Sequence, residues 1–361
     1  MQPLESVMTQ AKHTQAFATT VVGSMPKRPW LFSPNLAVDG KRDHFGDPGT
    51  WLIADESLRH EAMNDATRIV LREQERAGID VVSDGEQRRK NYVVHHTSHM
   101  QGFDYETLGE KTTRGGRRTV MAGRCVGPIE HQGGIAIDDL AFAMAETNRP
   151  IKVTLPGPMT VADSVHDAYY HDDKALAFAW ADAINKEARL LSSAGATVIQ
   201  FDEPVFSRFP KKVAEWGIEA LDRCADGVST TTAVHVCYGY PQPGLQRPIV
   251  DSYGEIIAEL ERSTIDQLAL EFEGPQLDLS YLSACPSKTV LLGCVFNSDD
   301  SDETPRHIAN RLLAAADVLS PEKIQAAPDC GLVMMSPERA RQKLVNMVEG
   351  ARLARTELGL D

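Results

Sequence analysis

The chain is 361 residues long, 42% hydrophobic and 24% charged, with 26 Gly and 20 Pro. That composition excludes a disordered, collagen-like or fibrous chain, and the length is routine for one α/β barrel, so two domains are not forced. A formal net charge of −14 repels phosphate backbones and anionic lipid, which makes nucleic acid and membrane surfaces poor partners.

In chain order, short runs that are apolar on both faces fall at 18–22, 79–82, 151–155, 197–201, 232–236, 267–270, 289–292 and 324–327. Amphipathic segments at 56–77, 173–194, 213–226, 252–262, 305–316 and 337–357 separate many of them and read as helices. Strands of this kind, each followed by a helix, predict a parallel sheet covered on both faces, and eight of them predict closure into a single-domain (β/α)8 TIM barrel. The barrel is expected over 17–361, after an N-terminal extension at 1–16. Two connections are long: 25–55 after the first run and 101–148 after the second. The latter holds Lys111, Arg114, Arg117, Arg118 and Arg124 around Gly115-Gly116, which predicts a basic hairpin insertion at about 104–130 turning at the glycines. It could clamp an anion or act as a lid; it could equally be a solvated hairpin or a subunit contact.

No apolar run reaches the roughly 18 to 20 residues of a membrane span, and residues 1–17 are too polar for a signal peptide, so a cytoplasmic protein is expected. The six Cys are spaced irregularly, unlike a disulfide framework; in a reducing compartment they would be buried, metal-bound or catalytic.

A barrel of this type carries its active site at the C-terminal ends of its strands. There the sequence places Gly23-Ser24, Ser83-Asp84-Gly85-Glu86, Pro156-Gly157-Pro158, Asp202-Glu203-Pro204, His235-Val236-Cys237, Glu271, Gly293-Cys294 and Asp329-Cys330-Gly331. The sharpest signal is His235-Val236-Cys237, because residues i and i+2 of a strand face one side, with Cα atoms about 6 to 7 Å apart. His235, Cys237, Glu271 and Cys330 together offer donors of the right softness for Zn²⁺. Ligands spread this widely over strand ends suit a catalytic ion better than a structural knot. Taken singly, each could be an inert core residue. Cys294 is a rival fourth ligand, whereas Cys125, Cys224 and Cys285 fall in loop or helix and read as structural.

The segments Val22-Gly23-Ser24-Met25-Pro26, Ala77 to Glu86, Leu155-Pro156-Gly157-Pro158-Met159-Thr160, Ile199 to Pro204, His235-Val236-Cys237-Tyr238, Leu270-Glu271 and Pro328-Asp329-Cys330-Gly331 occur in one order. In this the chain resembles the catalytic half of cobalamin-independent methionine synthase, more closely its short single-barrel forms, over about residues 17 to 355. The resemblance implies a zinc-dependent thiol methyltransferase in which His235, Cys237, Glu271 and Cys330 bind zinc and the ion binds the substrate thiol, homocysteine. It also implies that Gly23 and Ser24 hold the amino-acid carboxylate while Glu86 and Asp202 hold its ammonium group. Two carboxylates at one rim need a cation between them, and an ammonium supplies one; Arg88, Arg89 or Lys90 could supply it instead.

The sequence departs from the family after the seventh strand. Full-length members present an acidic residue and then a proton-relay histidine there, whereas this chain reads Phe296-Asn297-Ser298-Asp299-Asp300. A departing folate nitrogen needs a proton and methylcobalamin does not, so the loss shifts weight from 5-methyltetrahydrofolate toward methylcobalamin as donor, with a corrinoid protein as one possible carrier. Asp299, Asp300, His95, His96 or His99 could stand in for the missing acid. The runner-up activity is that of epoxyalkane:coenzyme M transferase, in which a zinc-bound coenzyme M thiolate opens an epoxide. Coenzyme M has no ammonium and would leave Glu86 and Asp202 without their cation. A non-catalytic barrel with structural zinc is a third reading, and an oligomer is compatible with all three.

Overall fold

The computed structural model describes residues 15–34, 48–113, 115–116, 118–240, 249–298 and 301–360. Six parallel strands, Lys152–Pro156, Val198–Asp202, Thr231–Val236, Gln267–Leu270, Thr289–Val295 and Ile324–Pro328, pair in sequence order. They are the third to eighth strands of the barrel. Parallel bridges Thr19↔Ala326, Thr20↔Val81 and Val82↔Ile151 close the ring through the first two.

Those two are shorter than the runs at 18–22 and 79–82 predict, and side chains explain why. The Asp80 carboxylate takes the backbone N–H of Thr19 at 2.8 Å. Inside the barrel, Lys152 Nζ donates to the Val21 carbonyl and Gln200 Nε2 to that of Val22, both at 2.8 Å. Backbone groups bound to side chains are lost to the ladder. The seventh strand runs three residues beyond its predicted end, with a register shift between Gly293 and Val295. That bulge turns Cys294 to bond the Ala327 carbonyl, at 3.6 Å.

Helices Glu56–Ala77 and Pro305–Ala316 have the predicted bounds, and Pro337–Leu358 ends one residue later. Asp55, Thr304 and Ser336 cap their N-termini with side-chain oxygens. Helices Tyr92–Thr97, Ile137–Glu146 and Pro158–Ser164 lie outside the amphipathic segments that the sequence predicts. The 101–148 connection is an antiparallel hairpin, Gln101–Thr113 with Arg118–Glu130, followed by the Ile137 helix. Gly115 and Gly116 both have positive φ at its tip, as a tight hairpin turn requires. Phe103 sets the hairpin against the barrel, edge-on to buried Trp180 at 5.9 Å.

Candidate active site at the C-terminal rim

The fifth strand ends at Val236, so His235 and Cys237 straddle it and share a side. His235 Nδ1 lies 3.1 Å from the Ala269 carbonyl, which makes Nδ1 the protonated nitrogen. Nε2 is buried without a hydrogen-bond partner. It meets Cys237 and Cys330, the ligand atoms of all three lying within 4.8 Å of one another. The two sulfurs are 3.7 Å apart. Two thiolates each about 2.3 Å from a tetrahedral zinc lie about 3.8 Å apart, so the pair has the spacing such an ion requires. The Cys330 hydrogen bond, opposed by burial, holds the Cys237 thiol well below its ordinary value. The same bond, with burial, drives Cys330 well above it.

Glu271 is fully buried at the end of the sixth strand but stands outside that group of three. Its Oε2 accepts from the backbone N–H of Tyr238, the residue after Cys237, at 2.7 Å. Through that bond it adjoins the strand end that carries Cys237. Cys294 is excluded by its bond to Ala327, and its thiol is pushed up by burial. Asp329 organises this half of the rim, a role the sequence did not disclose. Its Oδ1 accepts the backbone N–H groups of Phe272 and Glu273 at 2.9 Å, and Oδ2 that of Gly274. One side chain thus ties the turn after Glu271 to the strand end that carries Cys330. Gly293 makes room for it, since a Cβ there would come within 2.1 Å of Asp329 Oδ1.

The other half is built by turns. Glu86 sits at φ 55°, a left-handed conformation for a side chain with a Cβ, held by Asp84 Oδ1 accepting its N–H at 2.9 Å. Thr154 Oγ1 donates to Glu86 Oε1 at 2.8 Å. Asp202 ends the fourth strand, takes a hydrogen bond from Gln200 at 2.8 Å, and is pushed up to about 7 by burial, with the Glu86 charge adding. Arg89 is the neighbouring cation: it is buried and lies 3.9 Å from Glu86, whereas Arg88 pairs with Asp139. Ser24 Oγ meets Tyr240 OH at 3.1 Å. A Cβ on Gly331 would fall 2.1 Å from that serine oxygen, so this glycine is needed for the close approach.

Both halves open into one cavity of about 280 Å³, whose walls include Gly23, Ser24, Glu86, Asp202, His235, Cys237 and Cys330. Lys27, Tyr92, Arg208 and Tyr240 also line it; they carry no motif and went unnoticed in the sequence. Two roles that the sequence left open find no place in this wall. No described hairpin residue is in the wall: Lys111 donates to the Ala162 carbonyl and Arg124 pairs with Asp104, so these two cations are used structurally, while Arg114 and Arg117 lie outside the described residues. His95, His96 and His99 are also absent from it; His96 and His99 each bond a backbone carbonyl of their own helical turn through Nδ1. Asp299 and Asp300 lie outside the described residues.

Comparison with known proteins adds an independent line. The family model described as the catalytic domain of cobalamin-independent synthase matches residues 17–353. The methionine synthase of Sulfurisphaera tokodaii is 33% identical over 343 residues, 94% of this chain and 93% of its own length. That of Thermococcus kodakarensis is 32% identical, with 94% of each chain covered. Among solved structures, a B12-independent methionine synthase from a Shewanella species, in complex with selenomethionine, has a TM-score of 0.86 at 33% identity, covering 95% of this chain and 99% of that one.

Proposed function

The chain belongs to the cobalamin-independent methionine synthase catalytic-domain family, and from that premise we propose that it is a zinc-dependent methyltransferase converting homocysteine to methionine. The observation that carries the zinc reading is the orphaned Nε2 of His235 facing two thiols at the spacing of tetrahedral ligands. His235, Cys237 and Cys330 would hold the ion, with Glu271 as the fourth protein ligand. Bound there, zinc would lower the pKa of the homocysteine thiol while thiolate-rich ligands leave that sulfur nucleophilic.

The chain's own residues do the rest. Glu86 and Asp202 would hold the ammonium group, and Gly23 with Ser24 the carboxylate, so the amino acid is fixed at both charged ends. Fixing it there aims its sulfur at the donor and turns a bimolecular encounter into an oriented one. A relative solved with selenomethionine, the selenium analogue of methionine, supports an amino-acid site in this barrel. The paired carboxylates favour homocysteine over coenzyme M, which has a sulfonate and no ammonium. Six free thiols suit a reducing cytoplasm, and no helix among the described residues is long and apolar enough to cross a membrane.

The test incubates zinc-loaded protein with homocysteine or coenzyme M and, separately, with methylcobalamin, 5-methyltetrahydrofolate or an epoxide. Methionine is the expected product, and the donor that yields it identifies the methyl source. Thioether formation from coenzyme M alone would overturn the assignment.

A further inference from the structure

The reading of Glu86 as an ammonium-binding group leaves open how a lone carboxylate on a left-handed turn is aimed. A carboxyl group rotates about a broad, roughly two-fold torsion, so by itself it offers a ligand no fixed oxygen. Two side chains, Thr154 directly and Arg89 behind it, set its position. Arg89 Nη1 donates to Thr154 Oγ1 at 3.0 Å and to the Thr154 carbonyl at 2.8 Å. Thr154 Oγ1 in turn donates to Glu86 Oε1 at 2.8 Å. The direct Arg89–Glu86 separation is 3.9 Å, too long for a hydrogen bond, so Arg89 reaches the carboxylate through the threonine.

Proton counting makes this relay directional. A guanidinium has no acceptor, so Thr154 must accept from Arg89, and its single hydroxyl hydrogen is left for Glu86. A donor already accepting from a cation is polarised and donates more strongly. Space is closed around the pair as well: a Cβ on Gly23 would lie 2.8 Å from Thr154 Cγ2 and 3.0 Å from Glu86 Oε1. Thr154 itself is 3% exposed, and it has no place in the metal cluster or in the cavity wall.

We propose that Thr154 is a positioning residue: directed by Arg89, its hydroxyl fixes Oε1 of Glu86 and thereby sets the carboxylate that recognises the amino group of the substrate. The proposal rests on Glu86 being an ammonium-binding group. It makes Thr154 a determinant of selectivity for amino acids over thiols or thioethers that lack the amine. The residue acts without touching the ligand.

The test uses the full-length zinc-loaded protein, the variants Thr154→Val and Thr154→Ser, and two ligands: methionine and its des-amino analogue 4-(methylthio)butanoate. Valine keeps the shape and removes the hydroxyl; serine keeps the hydroxyl. Loss of one hydrogen bond to a charged group corresponds to about a tenfold change in affinity. Thr154→Val is therefore expected to weaken methionine binding and raise KM for homocysteine about tenfold, with kcat nearly unchanged. Binding of the des-amino analogue should not move, and Thr154→Ser should restore methionine binding. Unchanged methionine affinity in Thr154→Val, or equal losses for both ligands, would overturn the proposal while leaving the Glu86 reading intact. Wild-type protein that binds both ligands equally would remove the Glu86 reading and the proposal with it. Thermal melts establish that each variant is folded, and Thr154→Ala replaces the valine variant if that one is not.

Discussion

The two halves of the rim are held by different physics. On one side His235, Cys237 and Cys330 take their places from the ends of strands paired rung by rung in parallel ladders, one of them bulged next to Cys294. On the other, Gly23, Ser24 and Glu86 hang from segments joined to the barrel by single bridges, and their geometry comes from side chains: Asp84, Thr154, Arg89 and Tyr240. Register fixes the first half, and hydrogen-bond networks fix the second apart from Asp202, which a strand end also carries. Damage to the first should therefore appear as lost metal, and damage to the second as lost amino-acid affinity in a protein that still holds its ion.

The largest effect expected is that of Cys237→Ser, which should abolish both zinc content, read by elemental analysis, and turnover. Cys285→Ser should change neither, because that thiol is buried against the Leu282 carbonyl at 3.4 Å, far from the cluster, and a hydroxyl can keep the bond. Retention of stoichiometric zinc by Cys237→Ser would break the distinction between the halves.

An intermediate effect is expected from Asp329→Asn, a residue outside the cavity wall whose change disturbs the N–H groups that shape the turn after Glu271. Outer partners of metal ligands typically contribute 10–100-fold to metal affinity, and competition against a chromogenic chelator should show a loss of about that size. Methionine affinity should be less affected. Equal losses in both would mean that the halves are coupled more tightly than their bonding suggests.

The smallest effect is one of pH and sharpens the comparison without a mutation. Burial and the Glu86 charge raise Asp202 to about 7, so on acidification it takes up a proton and ceases to attract an ammonium. In metal-stripped protein the ionised fraction, and with it methionine affinity, should fall about tenfold between pH 8 and pH 6. The des-amino analogue should show no such slope in calorimetric titrations. A flat profile for methionine would remove Asp202 from the amino-acid half.

How much of this was legible beforehand follows the same division. The eight apolar runs located every barrel strand, and the i, i+2 pairing of His235 and Cys237 is a local consequence of strand geometry. Cys330 could be joined to them only through the expectation of a closed barrel. The carboxylate half gave its turn residues but not their partners. Thr154 and Glu86 stand 68 positions apart, and Arg89 and Thr154 stand 65 apart, so nothing periodic marks them. Asp329 was visible as a rim residue, yet its grip on the turn after Glu271 exists only once the sixth and eighth strands flank the seventh. The hairpin shows the converse. Its glycine turn was plain from local chemistry, but the destination of Lys111 is a carbonyl more than fifty residues away, on the Pro158–Ser164 helix.

The bridge-only seam formed by residues 19–20 and 81–82 also bears on how an enzyme of this kind can tolerate a crowded transition state. With few backbone rungs there, this wall would be the more compliant of the two, and hydrogen exchange at residues 19–22 and 81–86 is expected to outpace that at 232–236 and 289–292. An enzyme built this way would yield on the side where its moving partner is held and stay rigid on the other.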